Sequence, residues 1–289
     1  GCGATEIGVS WITGKTWFKV PQTIHIILSG SLQKGVYAKD VMLHIAKILT
    51  MNGATYKSVE FSGEFIDNLP MHERIIFPNM STEIGAKCGL IKTDQTTINY
   101  LKNQTNAKGP FEIIVPINPI YEREIEINVS KLDPQVACHP KVDIVKPISE
   151  LNNIQIDEVF IGTCTNGRYE DLEIVASILK GKRVSENTRV IITPASKRIY
   201  DKCLENGLIK IFNESGCIVT GFGCGACIGR HGGILADNEN AFTTMNRNFT
   251  GRMGSPKAKI FLGSPAAAAA TALAGKITDP RIIVGEIDE

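Results

Sequence analysis

Apolar residues recur along this chain in two rhythms, one continuous and short, the other spaced by three and four. In the carboxy-terminal half, EVFIG (158–162), RVIITP (189–194), CIVTG (217–221) and AKIFLG (258–263) are short runs rich in apolar residues. Runs of that length, bounded by polar or glycine positions, read as buried strands. Between them, RYEDLEIVASILKG (168–181) sets Leu172, Val175, Ala176 and Leu179 at helical spacing. Glu170 and Asp171 in its first turn suit the positive end of a helix dipole, and Gly181 is a stop signal. ASKRIYDKCLENG (195–207) reads as a second helix ending at Gly207, and Ser264-Pro265 opens a last one with a capping residue and a proline at its first position. Strands alternating with helices predict an α/β fold, a mostly parallel sheet with helices on both faces.

The amino-terminal half gives a weaker signal of the same kind. TIHIILSG (23–30), YKSVEFSG (56–63), FEIIVPI (111–117) and EREIEINVS (122–130) read as strands. KDVMLHIAKILTMNG (39–53) reads as a helix stopped by Gly53, and a further helix is expected near Asn79–Gly85. The opening GCGATEIGVSW shows no obvious first element, and no internal repeat is apparent. A polar, proline-bearing stretch from Pro134 to Glu150 predicts a boundary. The expected division is an α/β domain over 1–140, a linker over 141–155 and a second α/β domain over 156–289.

Composition narrows the classes. Of 289 residues 43% are hydrophobic and 21% charged, enough apolar surface for a full core in one or two domains. The net charge of +1, with no basic block, argues against nucleic-acid or anionic-lipid partners. The longest apolar run, SPAAAAATALAG (264–275), is alanine-rich and not the pattern of a membrane span. Eight cysteines are too sparse for a disulfide scaffold, so a reducing, cytoplasmic setting with thiols kept for metal work is expected.

Three of those cysteines carry candidate chemistry. FGCGACIG (222–229) holds Cys224 and Cys227 among three glycines, and IGTCTNGR (161–168) holds Cys164 in a similar loop. Both follow predicted strands, and in parallel sheets ligands gather at the carboxyl ends. The three thiols are therefore expected at one sheet edge. A CxxC alone fits a redox dithiol, structural or catalytic zinc, an iron–sulfur cluster, or a turn beside a packing cysteine. Cys2, Cys88, Cys138, Cys203 and Cys217 read as inert, with Cys138-His139 the one rival metal pair. NRNFTGR (246–252) offers Asn246, Arg247 and Arg252, and guanidinium groups near a metal suit a di- or tricarboxylate. An isolated arginine pair is also an ordinary solvated loop. NMSTE (79–83) sets Asn79 and Glu83 one turn apart, which an N-cap and first-turn acid explain equally well. His25, His44, His72 and His231 are single, and only His231, in GRHGG past the CxxC, stands near the candidate site.

As a set, TGKTWFKVP, NGATYKSVEF, NMSTEIGAKCG, IGTCTNGRYEDL, TPASKRIY, FGCGACIG, TMNRNFTGRMG and SPAAAAATALAGKITDPR resemble the aconitase superfamily. The likeness covers essentially the whole chain and leans to the large subunits of its two-subunit members, the 3-isopropylmalate dehydratase and homoaconitase type. It implies three-layer α/β/α domains and a [4Fe-4S] cluster on Cys164, Cys224 and Cys227. It implies substrate binding by Asn246, Arg247 and Arg252, and active-site roles for Asn79 and Glu83 near the exposed iron. The implied reaction is dehydration and rehydration of a hydroxy acid: isopropylmalate first, then homocitrate or homoaconitate, dimethylmalate or citramalate-like acids. The implied partner is a small subunit carrying the swivelling domain and a catalytic serine. Ala226 lies where many relatives have proline, a change expected to be tolerated. Two larger departures stand out: the Asp-Ser-His motif with further histidine and aspartate residues that the family carries upstream, and its swivelling domain, are not in this sequence. Without those groups and the partner, the chain alone is expected to be inactive. A non-catalytic iron or oxygen sensor and a zinc or dithiol protein are the rival classes.

Overall fold

The structure is a computed structural model and describes residues 3–103, 109, 111, 113 and 116–284. The chain opens with α1 (Ala4–Thr13), where the sequence suggested no element. None of its residues is buried, so there was no core-facing stripe to read. β1 (Thr23–Ser29) follows, with Ile24, Ile26 and Leu28 buried and the alternate residues only half-covered. That period of two marks one covered and one more open face. α2 (Ala38–Leu49) packs its apolar face on the core, then β2 (Ser58–Ser62) returns parallel to β1. Three short helices, α3 (Glu64–Asn68), α4 (Met71–Arg74) and α5 (Ile76–Met80), lead through a 3₁₀ turn (Ser81–Ile84) into β3 (Cys88–Ile91). After α6 (Gln95–Lys102), β4 (Arg123–Asn128) completes an all-parallel sheet in the order β3-β2-β1-β4. Of the expected strand 111–117, residues 112, 114 and 115 lie outside the described residues, and 111, 113, 116 and 117 belong to no strand.

The second sheet begins earlier than the sequence implied. The expected boundary stretch Pro134–Glu150 holds two strands: β5 (Gln135–Ala137) and β6 (Val145–Pro147) form an antiparallel pair on the sheet edge, with Ala137 opposite Leu262. The prolines fall at the ends of these strands, where no ladder donor is lost. Gln135 N–H also donates to Asp40 Oδ1 at 2.8 Å, tying this edge to α2.

β7 (Glu158–Gly162) is buried at every position, as a central parallel strand covered on both faces must be. Beyond it come α7 (Thr163–Asn166), α8 (Tyr169–Leu179) and β8 (Arg189–Thr193). The helix expected over 195–207 is α9 (Lys197–Glu205), which ends before Gly207 at φ +76°, and an unsignalled helix, α10 (Leu208–Glu214), follows it directly. β9 (Ile218–Val219) is short, and β10 (Asn240–Thr243), flanked by polar residues and unsignalled, is a central strand. β11 (Lys259–Leu262), α11 (Pro265–Ala274) and α12 (Arg281–Val284) end the fold. The sheet order is β6-β5-β11-β10-β7-β8-β9, parallel from β11 to β9. Pro265 and the alanines of α11 as far as Ala272 are buried, with small side chains that let the helix lie close against α8 and β7. Among the described residues no helix is long and apolar enough to cross a membrane.

Candidate metal and substrate site

Two loops converge on one residue, Thr193, the last of β8. Gly162, its register partner, ends β7, and a Cβ there would meet the Thr193 carbonyl oxygen at 2.4 Å. Only glycine tolerates that approach, and the chain then turns directly into α7 with Cys164 in its first turn. From β9 the chain runs back over β8, with Gly223 N–H donating to Pro194 O at 3.0 Å. Gly225, at φ +52°, lies so close that a Cβ would meet Thr193 Oγ1 at 2.5 Å. Cys224 and Cys227 flank this glycine in a tight turn closed by Cys227 N–H to Cys224 O at 3.1 Å. All three thiols are free; Cys164 and Cys224 are exposed and Cys227 is half-buried. The strand ends thus bring the two cysteine loops to the same edge.

A polar rim surrounds this edge. Asn79, on α5, accepts from Thr165 Oγ1 at 3.0 Å and from Asn246 Nδ2 at 3.1 Å. Its carbonyl therefore links the residue after Cys164 to the loop after β10. Glu83 holds Arg247 by Nε, at 2.9 Å to Oε1 and 3.1 Å to Oε2. Beside this pair opens a cleft of about 250 Å³ that Pro140, Val142 and Phe249 also line. Arg252 donates from Nη2 to Cys227 Sγ at 3.4 Å, while its Nε is buried with no partner among the described residues. Hydrogen bonds thus tie Asn79 to Asn246 and to the residue after Cys164, Glu83 to Arg247, and Arg252 to Cys227. The rival pair is turned apart: the Cys138 thiol points to Val136 O at 3.9 Å, and His139 Nδ1 donates to Asn248 O at 3.1 Å. His231 is exposed on the loop beyond the CxxC.

Sequence reasoning missed the residue that joins the two halves of the rim. Lys39 is fully buried in the first turn of α2. Its Nζ donates to Thr244 O and Met245 O, each at 3.0 Å, and to Asn246 Oδ1 at 3.4 Å. Burial pushes the amine down to about 8, against the pull of Asp171, Glu83, Cys164 and Asp40. The available signal was a lysine in a helix first turn, where the dipole disfavours a cation. Asp171 is a second buried group: it accepts from Asn166 Nδ2 and Arg168 N–H, both at 3.0 Å, and burial raises its carboxyl to about 7.

The donor set suits a group held through thiolates. Among the described residues no three His, Cys, Asp or Glu side chains close around a single ion. A multi-iron cluster spans thiolates set farther apart than the shell of one ion, and glycine-rich loops let backbone N–H groups approach its sulfides. The buried, unpartnered Arg252 Nε, whose Nη2 already donates to Cys227, is a donor that a cluster sulfide would satisfy.

A mostly parallel α/β sheet with three free thiols and an asparagine–arginine rim at its strand ends defines a class of α/β proteins with a thiol-rich edge. Within it the chain belongs to the aconitase family: the family model described as aconitase (aconitate hydratase) matches residues 1–153 and 145–275. The chain is 47% identical to 3-isopropylmalate dehydratase large subunit 1 of Thermotoga maritima, over 97% of this chain and 68% of that protein. Large subunit 2 of the Archaeoglobus fulgidus enzyme is 48% identical over 97% of this chain and 68% of its own length. The probable methanogen homoaconitase large subunit of Methanosarcina mazei is 45% identical over 98% of this chain and 71% of its own length.

Proposed function

We propose that this chain is the cluster-bearing large subunit of a hydro-lyase that isomerises a 2-hydroxy di- or tricarboxylic acid, with 3-isopropylmalate as substrate. The observation that carries the reading is the convergence of Cys164 and the Cys224–Cys227 turn on Thr193, with Arg252 donating to Cys227. The names of relatives sharing 47–48% of positions give the substrate its direction.

Cys164, Cys224 and Cys227 would hold a [4Fe-4S] cluster, which when bound supplies a Lewis-acidic iron for a hydroxyl and carboxylate. This chain's own residues then set the geometry. Arg247, fixed at Nε by Glu83, and Arg252 offer guanidinium donors to a carboxylate, the strong charge-assisted pairing. Asn79 and Asn246, locked to each other, keep Thr165 and the arginine loop in one register, so the bound acid meets a preset frame. Glu83 is committed to Arg247 and serves as its anchor. A small subunit, implied by the relatives' designation as large subunits, would bring the base that takes the proton from the adjacent carbon.

The test is anaerobic reconstitution with iron and sulfide, followed by turnover of 2-isopropylmalate and of homoaconitate with a small subunit supplied. A brown, iron-loaded protein that turns over isopropylmalate supports the reading. The 45% identity to a homoaconitase large subunit makes homoaconitate turnover the second reading. A colourless product defeats both and leaves a zinc or dithiol protein. A loaded chain that turns over neither acid with its partner points instead to an iron or oxygen sensor.

A further inference from the structure

Lys39 is a cation without solvent, placed where no sequence pattern asks for one. It sits on α2, in the amino-terminal sheet's layer, and its three acceptors lie over two hundred positions away, directly after β10. Two are consecutive backbone carbonyls and the third is the side chain of Asn246, whose Nδ2 already donates to Asn79 Oδ1. The next residue is Arg247. A buried ammonium is kept only when its donors are matched, and here the match is made by a loop that carries the rim.

The start of that loop is also held to β7: Thr244 N–H donates to Phe160 O at 3.1 Å, and its Oγ1 accepts from Gly162 N–H and donates to Gly162 O, each at 3.0 Å. Met245 N–H donates to Thr243 Oγ1 at 3.1 Å, and Asn248 Nδ2 reaches carbonyls at 3.3 and 3.4 Å. Arg247 itself is about half exposed, so its ion pair with Glu83 gives weak restraint. Beyond Thr244, Lys39 is the buried side chain that ties Met245 O and Asn246 Oδ1 to α2. Asp40, the next residue, accepts from Tyr37 N–H at 2.9 Å and Gln135 N–H at 2.8 Å, which fixes the start of α2 itself. The bolt is seated on a rigid base.

We propose that Lys39 is a positioning residue that sets the Thr244–Arg247 loop, and through it Asn246 and Arg247, against the thiol edge. The proposal rests on the function proposed above and deepens it. Lys39 would touch neither substrate nor cluster; its effect would pass through Asn246. Loss of the amine leaves two carbonyls and an amide oxygen buried without donors, and the loop moves to reach water. A shift of about 1 Å at a positioning group is enough for roughly a hundredfold loss of rate.

The experiment compares Lys39→Met with Leu43→Ala, a buried apolar position one turn further along the same helix. Both are made in the full chain, with the small subunit present for turnover. Expected for Lys39→Met is hydrogen exchange at amides 244–248 at least about tenfold faster, with α8 and β8 still protected. The iron content stays at the wild-type level, and kcat falls about a hundredfold with KM within about twofold. Leu43→Ala should show neither local exchange nor the kcat loss. Where Lys39→Met does not fold, Lys39→Gln, which keeps an N–H donor at shorter reach, carries the same measurements. Exchange at 244–248 unchanged, or raised no more than in Leu43→Ala, overturns the proposal. So does loss of iron together with turnover, which would make Lys39 a general structural support. If the wild type itself takes up no iron, the proposed function fails, and the exchange comparison still decides the role of Lys39.

Discussion

The two parallel sheets of this molecule obey the same packing logic, yet they present different things at the site. In the seven-stranded sheet the groups come straight off strand ends: Cys164 after β7, the cysteine turn after β9, Asn246 and Arg247 after β10. The four-stranded sheet offers its site residues elsewhere. Lys39 comes from a helix start and Asn79 and Glu83 from an irregular run of short helices. The division follows from chemistry. Sulfur donors must be fixed by the most rigid backbone available, and tight glycine turns over Thr193 supply it. Groups that steer an organic acid act through hydrogen bonds and can be held from the side. Damage on one side should therefore remove metal, and damage on the other should remove geometry.

The largest effect expected on the first side comes from Cys227→Ala. Iron and sulfide should no longer be retained after anaerobic reconstitution, and turnover should fall on the order of a thousandfold. Retention of a full complement of iron by that variant would break the comparison at once. On the other side, Asn79→Ala strands the Thr165 hydroxyl and the Asn246 amide, at a cost of about 1–3 kcal/mol. The measurement is kcat/KM, expected to drop roughly 10- to 100-fold at unchanged iron content.

A third test separates stability from site geometry. Arg74, buried near the end of α4, donates to Asp94 Oδ2 at 2.8 Å and to the carbonyls of Leu69 and Asp67 at 2.8 and 2.7 Å. Arg74→Ala should cost about 3 kcal/mol in urea unfolding while iron uptake by the cysteine edge persists. A fourth test concerns pH. Because burial raises the Asp171 carboxyl to about 7, the folded state holds its proton more tightly than the unfolded chain does. The contribution of this group is then greatest below about 4 and is lost as pH rises towards 7. Asp171→Asn should flatten that part of the profile of unfolding free energy against pH.

What the sequence made legible was set by how local the signal is. β1, β2, β7, β8 and β11 carry apolar runs of their own, and α2, α8, α9 and α11 carry periodicity and end signals, so each could be read in place. β10 could not: its residues Asn240–Thr243 are half polar, and only the neighbours β7 and β11 make it central. β5 and β6 were hidden by prolines at or beside their ends, Pro147 closing β6 opposite Gln135. At the site, cysteine and arginine types announce their chemistry, and their shared rim follows from strand order. Lys39 gives only the faint signal of a cation in a helix first turn, because its acceptors, two main-chain carbonyls and the Asn246 amide oxygen, are contributed by tertiary folding.

The chain's two tryptophans, Trp11 and Trp17, stand in or just after α1, each 85% exposed. Indole emission from this polypeptide should consequently be red-shifted already in the native state and almost silent during urea melting of either sheet. That silence is useful: a blue shift on mixing with another polypeptide would report contact at α1 alone, as a built-in optical probe needing no label.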